Sequence, residues 1–225
     1  MSIIYTDPNI VARVTDEVEV STRFIKAVEA GWDDTEENAK LLLELLFKYF
    51  MIEGVKFPFS FFTSWTLNKG HNNCSQGFSQ LLIKICIDEM QIHTTTGATA
   101  LKKLRDNRYT KHLFESGWFN NMAMTYAKYV YTKELEWIDY LLEDGEVPGF
   151  NKAVCTHFVE YWIDRRLKEI KLEPMFNVVK NDVEVWFDHY RNPNSKSSAL
   201  QEVDNVSYQM GQLKNDLHRF DNVRI

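Results

Sequence analysis

Proline and glycine are scarce, at five and nine of 225 residues. All-β folds use both freely at turns, so their shortage favours helix from the outset. Cysteine is scarcer still: Cys74, Cys86 and Cys155 are widely spaced and form no CxxC pair. That pattern excludes a disulfide scaffold and a zinc knuckle, and it fits buried thiols in a reducing compartment. Positive charge is also short, with 26 Lys and Arg against 32 Asp and Glu and a formal net charge of -6. A nucleic-acid footprint needs a basic face to meet phosphates, and this chain does not offer one by composition. Long apolar runs are missing too. The most apolar stretch, residues 41–65, is interrupted by Glu44, Lys48, Glu53 and Lys56, too many charges for a free membrane span. The first residues lack a basic start followed by an apolar run, so a cytoplasmic protein is expected.

What is present is a composition of 44% hydrophobic, 14% aromatic and 26% charged residues, which suits a packed core rather than a disordered chain. After Asp7-Pro8, the residues Val11, Val14, Val18, Phe24 and Val28 predict a helix over 9–30. Acidic residues at 33–37 open a long pattern, running to about Asn68, that Pro58 should kink. Residues 69–73 read as a turn. Phe78, Leu82, Ile85, Glu89 and His93 then recur at steps of four or three, predicting a second long helix to about Leu104. Two more helices are expected over 110–142 and 150–172, parted by the turn at 144–149, and a short one over 179–190. From Asn192 the composition turns polar, as in an extended or mobile tail. The chain thus divides into a helical-bundle portion, 1–191, and a tail, 192–225.

Two carboxylates lie on apolar faces. Glu53 is followed at one and two helical turns by Phe57 and Phe61, large aromatics that should face the core. Glu89 and His93 continue the stripe of Leu82 and Ile85, with Asp88 on the adjacent face. An ionised carboxylate in such a place costs several kcal/mol unless a cation or hydrogen bonds compensate. Taken singly, Glu53 reads as an ion pair with a Lys or Arg, and Glu89 with His93 as a helix-surface pair. Taken together, two long helices with inward carboxylates and a following imidazole form half of a four-helix dimetal carboxylate site, a donor set suited to iron or manganese. No second Glu-x-x-His motif is present, and His112, His157, His189 and His218 read as structural.

Three stretches carry a resemblance to a known family: IEGVKFPFSFF with the later ICIDEMQIH, the run KELEWIDYLLEDGEVPGFNKAVCTHFVEYWIDRRL, and the tail QEVDNVSYQMGQL. Together they resemble the small, radical-generating subunit of class I ribonucleotide reductase. The resemblance implies an all-α, ferritin-like helical bundle, incomplete in this chain, with a mobile C-terminal tail. It implies Glu53 as a ligand on the third core helix, and Glu89 and His93 as the pair on the fourth. It makes Asp88 the acid that hydrogen-bonds a ligand histidine, and Phe57, Phe61, Leu82 and Ile85 the apolar pocket beside the metals. The family places its histidine three residues after the glutamate; here the spacing is four, which a π-bulge can absorb.

In the family, the first carboxylate ligand, the first Glu-x-x-His and the usual radical tyrosine precede the segment that Asp7-Pro8-Asn9 resembles. The expectation is therefore a split small subunit, or a truncated one, whose site is completed by a separate N-terminal half. In the tail, Glu202, Val203, Ser207, Tyr208, Gly211 and Gln212 match the motif in which the tyrosine relays a radical equivalent between subunits, and residues 216–220 resemble the anchor on the large catalytic subunit. The implied function is that of a ribonucleoside-diphosphate reductase component, inactive alone, with a di-iron, manganese–iron or di-manganese centre and a dimer of small subunits. A different ferritin-like dimetal oxidase would share the bundle but has no use for the tail; a non-catalytic helical scaffold that only stabilises a partner is the other alternative, and it predicts no metal in the assembled pair.

Overall fold

The computed structural model describes residues 7–13, 15–70 and 76–190. Cys74 and the whole tail segment, with Glu202 and Tyr208, lie outside the described residues. Among these the chain is helical, with no strand beyond one isolated bridge between Val147 and Phe150 in the predicted turn. No described helix is long and apolar enough to cross a membrane.

Helix α1 (Pro8–Ala12) begins with proline in its first turn and is capped by Asp7, whose Oδ1 accepts from the amides of Asn9 and Ile10 at 2.8 and 3.4 Å. The single helix predicted over 9–30 is two, because the chain breaks at Arg13 before α2 (Thr15–Glu29). Arg13 turns inward: its Nε and Nη2 donate to the two oxygens of Glu134 at 3.0 and 2.8 Å, Nη1 to Ser60 Oγ at 2.9 Å, and Nη2 also to the Lys56 carbonyl at 3.0 Å. The buried side of α2 also differs from the valine pattern. Val20 and Glu17 are buried, whereas Val11, Val18 and Val28 face outward. Glu17 tolerates burial because the ammonium of Lys56 pairs with it and the Tyr126 hydroxyl donates to it at 3.0 Å.

Helix α3 (Glu36–Met51) is capped by Thr35 and carries Glu36 and Glu37 in its first turn. It continues through a π-helical segment, Ile52–Lys56, into α4 (Phe57–Gly70). The interruption expected at Pro58 takes this form. A helical proline lacks a donor and crowds the carbonyl four residues back, and a π turn just ahead of it loosens that register. The second long helix is built alike: α5 (Gln76–Ile87), a π-helical segment Asp88–His93, and α6 (Thr94–Arg105). The helix predicted over 110–142 is split into α7 (Lys111–Glu115) and α8 (Trp118–Leu141) by Gly117, whose φ of 78° suits glycine. Helices α9 (Lys152–Glu169), capped by Asn151, and α10 (Asp182–Tyr190) complete the set. From α9, Asp164, 1% exposed, accepts the amides of Met175, Phe176 and Val178 at 2.7, 3.0 and 3.1 Å, fixing the irregular segment that leads to α10.

The core is aromatic. Phe59, Phe62, Trp65, Phe158, Trp162 and Phe187 are fully enclosed where α4, α9 and α10 meet, Phe47 is enclosed between α3 and α8, and Phe62 stacks on Phe158 with centroids 4.4 Å apart. Two tests follow from this packing. Replacing Glu134 with alanine strands the largely buried Arg13 guanidinium and should lower stability by about 3–5 kcal/mol in urea unfolding. Burial pushes the Cys155 thiol up to about 12, so it should resist iodoacetamide at pH 8 in the folded protein and react only after denaturation.

Candidate metal centre

The two π-helical segments pack against each other and carry the candidate ligands. Glu53 is the second residue of the first; Glu89 and His93 lie near the two ends of the second. One ligand atom from each of the three lies within 4.8 Å of the others. His93 Nδ1 is 2.6 Å from Glu89 Oε2 and 3.8 Å from Glu53 Oε2. The π geometry answers the spacing of four: a widened turn brings Glu89 and His93 to one side, where a motif with a spacing of three needs no widening. The widened turn is held at its carbonyl, since both the amide and the hydroxyl of Thr94 donate to the Glu89 oxygen, the hydroxyl at 2.7 Å.

The electrostatics of the cluster centre on Glu53. Glu53 Oε2 is buried with no hydrogen-bond partner, and among the described residues no lysine or arginine pairs with this carboxylate. Burial, and then the neighbouring Glu89, push the Glu53 carboxyl up to about 8. At neutral pH the metal-free carboxyl therefore holds its proton, and a bound cation would displace it. Two carboxylates and an imidazole within reach of one point make a hard-to-borderline donor set that fits iron or manganese. The ion-pair reading of Glu53 has no partner to support it; the pairing of Glu89 with His93 is present and belongs to the same cluster.

The other candidate residues are distributed unevenly. Phe61 and Leu82 are buried, but Phe57 and Ile85 are 36% and 38% exposed, contrary to the expectation that both aromatics face the core. The helix period identifies an apolar face without saying what covers it, and here the ligand side of α4 and α5 lies at the surface of the chain. Ile92, Leu81 and Phe78 are exposed along the same run. Asp88 is half-buried, and the Nδ1 partner of His93 is Glu89 rather than Asp88. His112 and His157 face Glu36 and Glu184, away from the cluster.

Sequence reasoning missed two supports of the site. One is Thr94, whose position directly after the histidine was its signal. The other is Gly54, where an added Cβ would lie 2.3 Å from Cδ of the buried Arg166. A glycine inside a helical pattern beside a carboxylate was the available sign of that close approach.

Residues 7–182 match the family described as ribonucleotide reductase, small chain. Among curated relatives, the chain is 23% identical over 190 residues to the ribonucleoside-diphosphate reductase subunit beta of Buchnera aphidicola subsp. Baizongia pistaciae, covering 84% of this chain and 49% of that protein. It is 26% identical over 171 residues to the subunit beta of enterobacteria phage T4, covering 74% and 43%. It is 32% identical over 89 residues to the ribonucleoside-diphosphate reductase 1 subunit beta of Salmonella typhimurium, covering 40% and 23%. The chain spans half or less of the length of these relatives. With a match over most of its residues, the helical architecture and the paired carboxylate-bearing helices, this chain belongs to the ribonucleotide reductase small-chain family.

Proposed function

We propose that this protein supplies one half of a dimetal centre, with Glu53, Glu89 and His93 as its ligands, and that helices outside the described residues supply the rest. The observation that carries the reading is the open ligand face: the triad adjoins a surface bearing Phe57, Ile85 and Ile92 at 36%, 38% and 54% exposure. A dimetal carboxylate site of this architecture draws ligands from four helices, and two carry the triad here. Helices bearing the remaining carboxylates and histidine would cover that apolar surface and enclose the site. Asp88 would orient a ligand imidazole in the assembled centre, as outer carboxylates do.

When bound, the metal pair supplies one-electron oxidising chemistry that side chains alone lack. The chain's own part is to hold it. Glu53 would bind through its buried oxygen with loss of its proton, Glu89 and His93 would offer a carboxylate and an imidazole, and Phe61, Leu82 and Met90, all buried, line the inner side. In this reading Tyr208, flanked by Glu202 in the tail motif, passes the oxidising equivalent to the large catalytic subunit, where ribonucleoside diphosphates are reduced in the cytoplasm. The small subunits would act as a dimer and bind no nucleotide substrate themselves.

Elemental analysis tests the metal site. The chain alone should retain little iron or manganese, and about two ions per unit should appear after assembly with the polypeptide that carries the missing ligands. Glu89→Gln should reduce that content by at least half without loss of helical circular dichroism. A stoichiometric metal pair in the chain alone would overturn the shared site, and no metal in either sample would leave a scaffold. A second test addresses the tail. In the assembled enzyme, Tyr208→Phe should abolish ribonucleotide reduction while leaving metal content unchanged; retained turnover would remove Tyr208 from the pathway.

A further inference from the structure

A pocket of about 440 Å³ opens between α9 and the run formed by the second π-helical segment and α6. None of Glu53, Glu89 and His93 lines it. Its wall collects three cations, Lys102, Arg165 and Arg166, against a single carboxylate, Glu169. In a chain of net charge -6, such a concentration does not follow from composition. Neutral donors complete the lining: the amide of Gln91 and the hydroxyls of Thr95 and Thr99.

The cations are arranged rather than merely near one another. Arg166 is 3% exposed, lies with its guanidinium 5.1 Å from the Trp162 ring centre, and donates through Nη1 to Glu169 Oε2 at 2.8 Å. Arg165 lies over the same indole at 4.8 Å, and its Nε is 3.4 Å from Glu169 Oε1. Trp162 thus holds two guanidinium planes in place, and Glu169 is the one carboxylate among the residues that line the pocket. Lys102, on the opposite wall, makes no ion pair among the described residues. Planar guanidinium forks with an ammonium and hydroxyl donors match the oxygens of a tetrahedral anion.

We propose that this pocket binds an oxyanion of the phosphate class, with Lys102, Arg165 and Arg166 supplying charge and Thr95, Thr99 and Gln91 supplying directed hydrogen bonds. Its room exceeds that of one phosphate group, so a diphosphate-bearing ligand fits better than a lone ion. The inference does not depend on the proposed metal chemistry.

The test is isothermal titration calorimetry of the full, metal-free chain in chelator, with inorganic phosphate and with pyrophosphate at a constant ionic strength set by chloride. Saturable one-to-one binding, tighter for pyrophosphate, is expected. Lys102→Ala and Arg165→Gln should each weaken it at least about ten-fold, since each removes a charge-assisted hydrogen bond. Lys26→Ala on the remote α2 should change nothing. Thr99→Val, a surface change that spares every charge, should weaken binding about three-fold and guards against misfolding of the charge variants. Absence of saturable heat up to roughly 10 mM anion, or equal losses in Lys26→Ala and Lys102→Ala, would overturn the site.

Discussion

A buried ionic cluster holds the segment on which Glu53 sits. Lys56 closes the first π-helical segment; its ammonium pairs with Glu17 and donates to the Arg13 carbonyl at 2.9 Å, while its own carbonyl accepts from Arg13. Arg13 in turn forks onto Glu134, which is fully buried on α8. Two parts of the chain distant in sequence, residues 13–17 and α8, are thereby tied to one irregular turn. A π segment gives up regular helical hydrogen bonding, and left alone it would relax to ordinary helix. Charged groups that are costly to bury singly become, as a closed set, a reason for the turn to keep its shape. The position of Glu53, three residues before Lys56, follows from that clamp.

The second π segment meets the first with a carboxylate and an imidazole already in hydrogen-bond contact. The arrangement sets two half-buried carboxyl groups beside each other at the edge of the chain, and the raised Glu53 carboxyl records the conflict. Membership of the ribonucleotide reductase small-chain family supplies a reason for building such a conflict into a fold. A place that is uncomfortable for two carboxylates without a cation is favourable with one.

Much of the helix content was legible because periodicity and end signals are local. Asp7-Pro8, Thr35 and Asn151 start helices where capping chemistry says they should. Against the family's spacing of three, the spacing of four between Glu89 and His93 left room for a π-bulge, and a π-helical segment holds both residues. What local patterns could not reveal was long-range. The break at Arg13 exists because Glu134 lies 121 residues away, and the outward-facing Val18 gives way to a buried Glu17 only because Lys56 and Tyr126 wait inside. Phe57 and Ile85 carry the right period for a core yet stand at the surface, since periodicity records which side of a helix is apolar and not whether anything lies against it. Gly54 beneath Arg166 is a contact between helices more than a hundred residues apart.

Asp164 shows where sequence information is stored in such a chain. Its carboxylate collects three amides from residues 175–178, and amides belong to the backbone. Any residue other than proline could stand at those three positions and still donate. The backbone path of the irregular segment is therefore set from one residue on α9, while Met175 and Phe176 add side-chain packing, Phe176 against Tyr131 with centroids 4.6 Å apart. A stretch that reads as featureless in sequence is held as firmly as a helix by a single anion placed elsewhere.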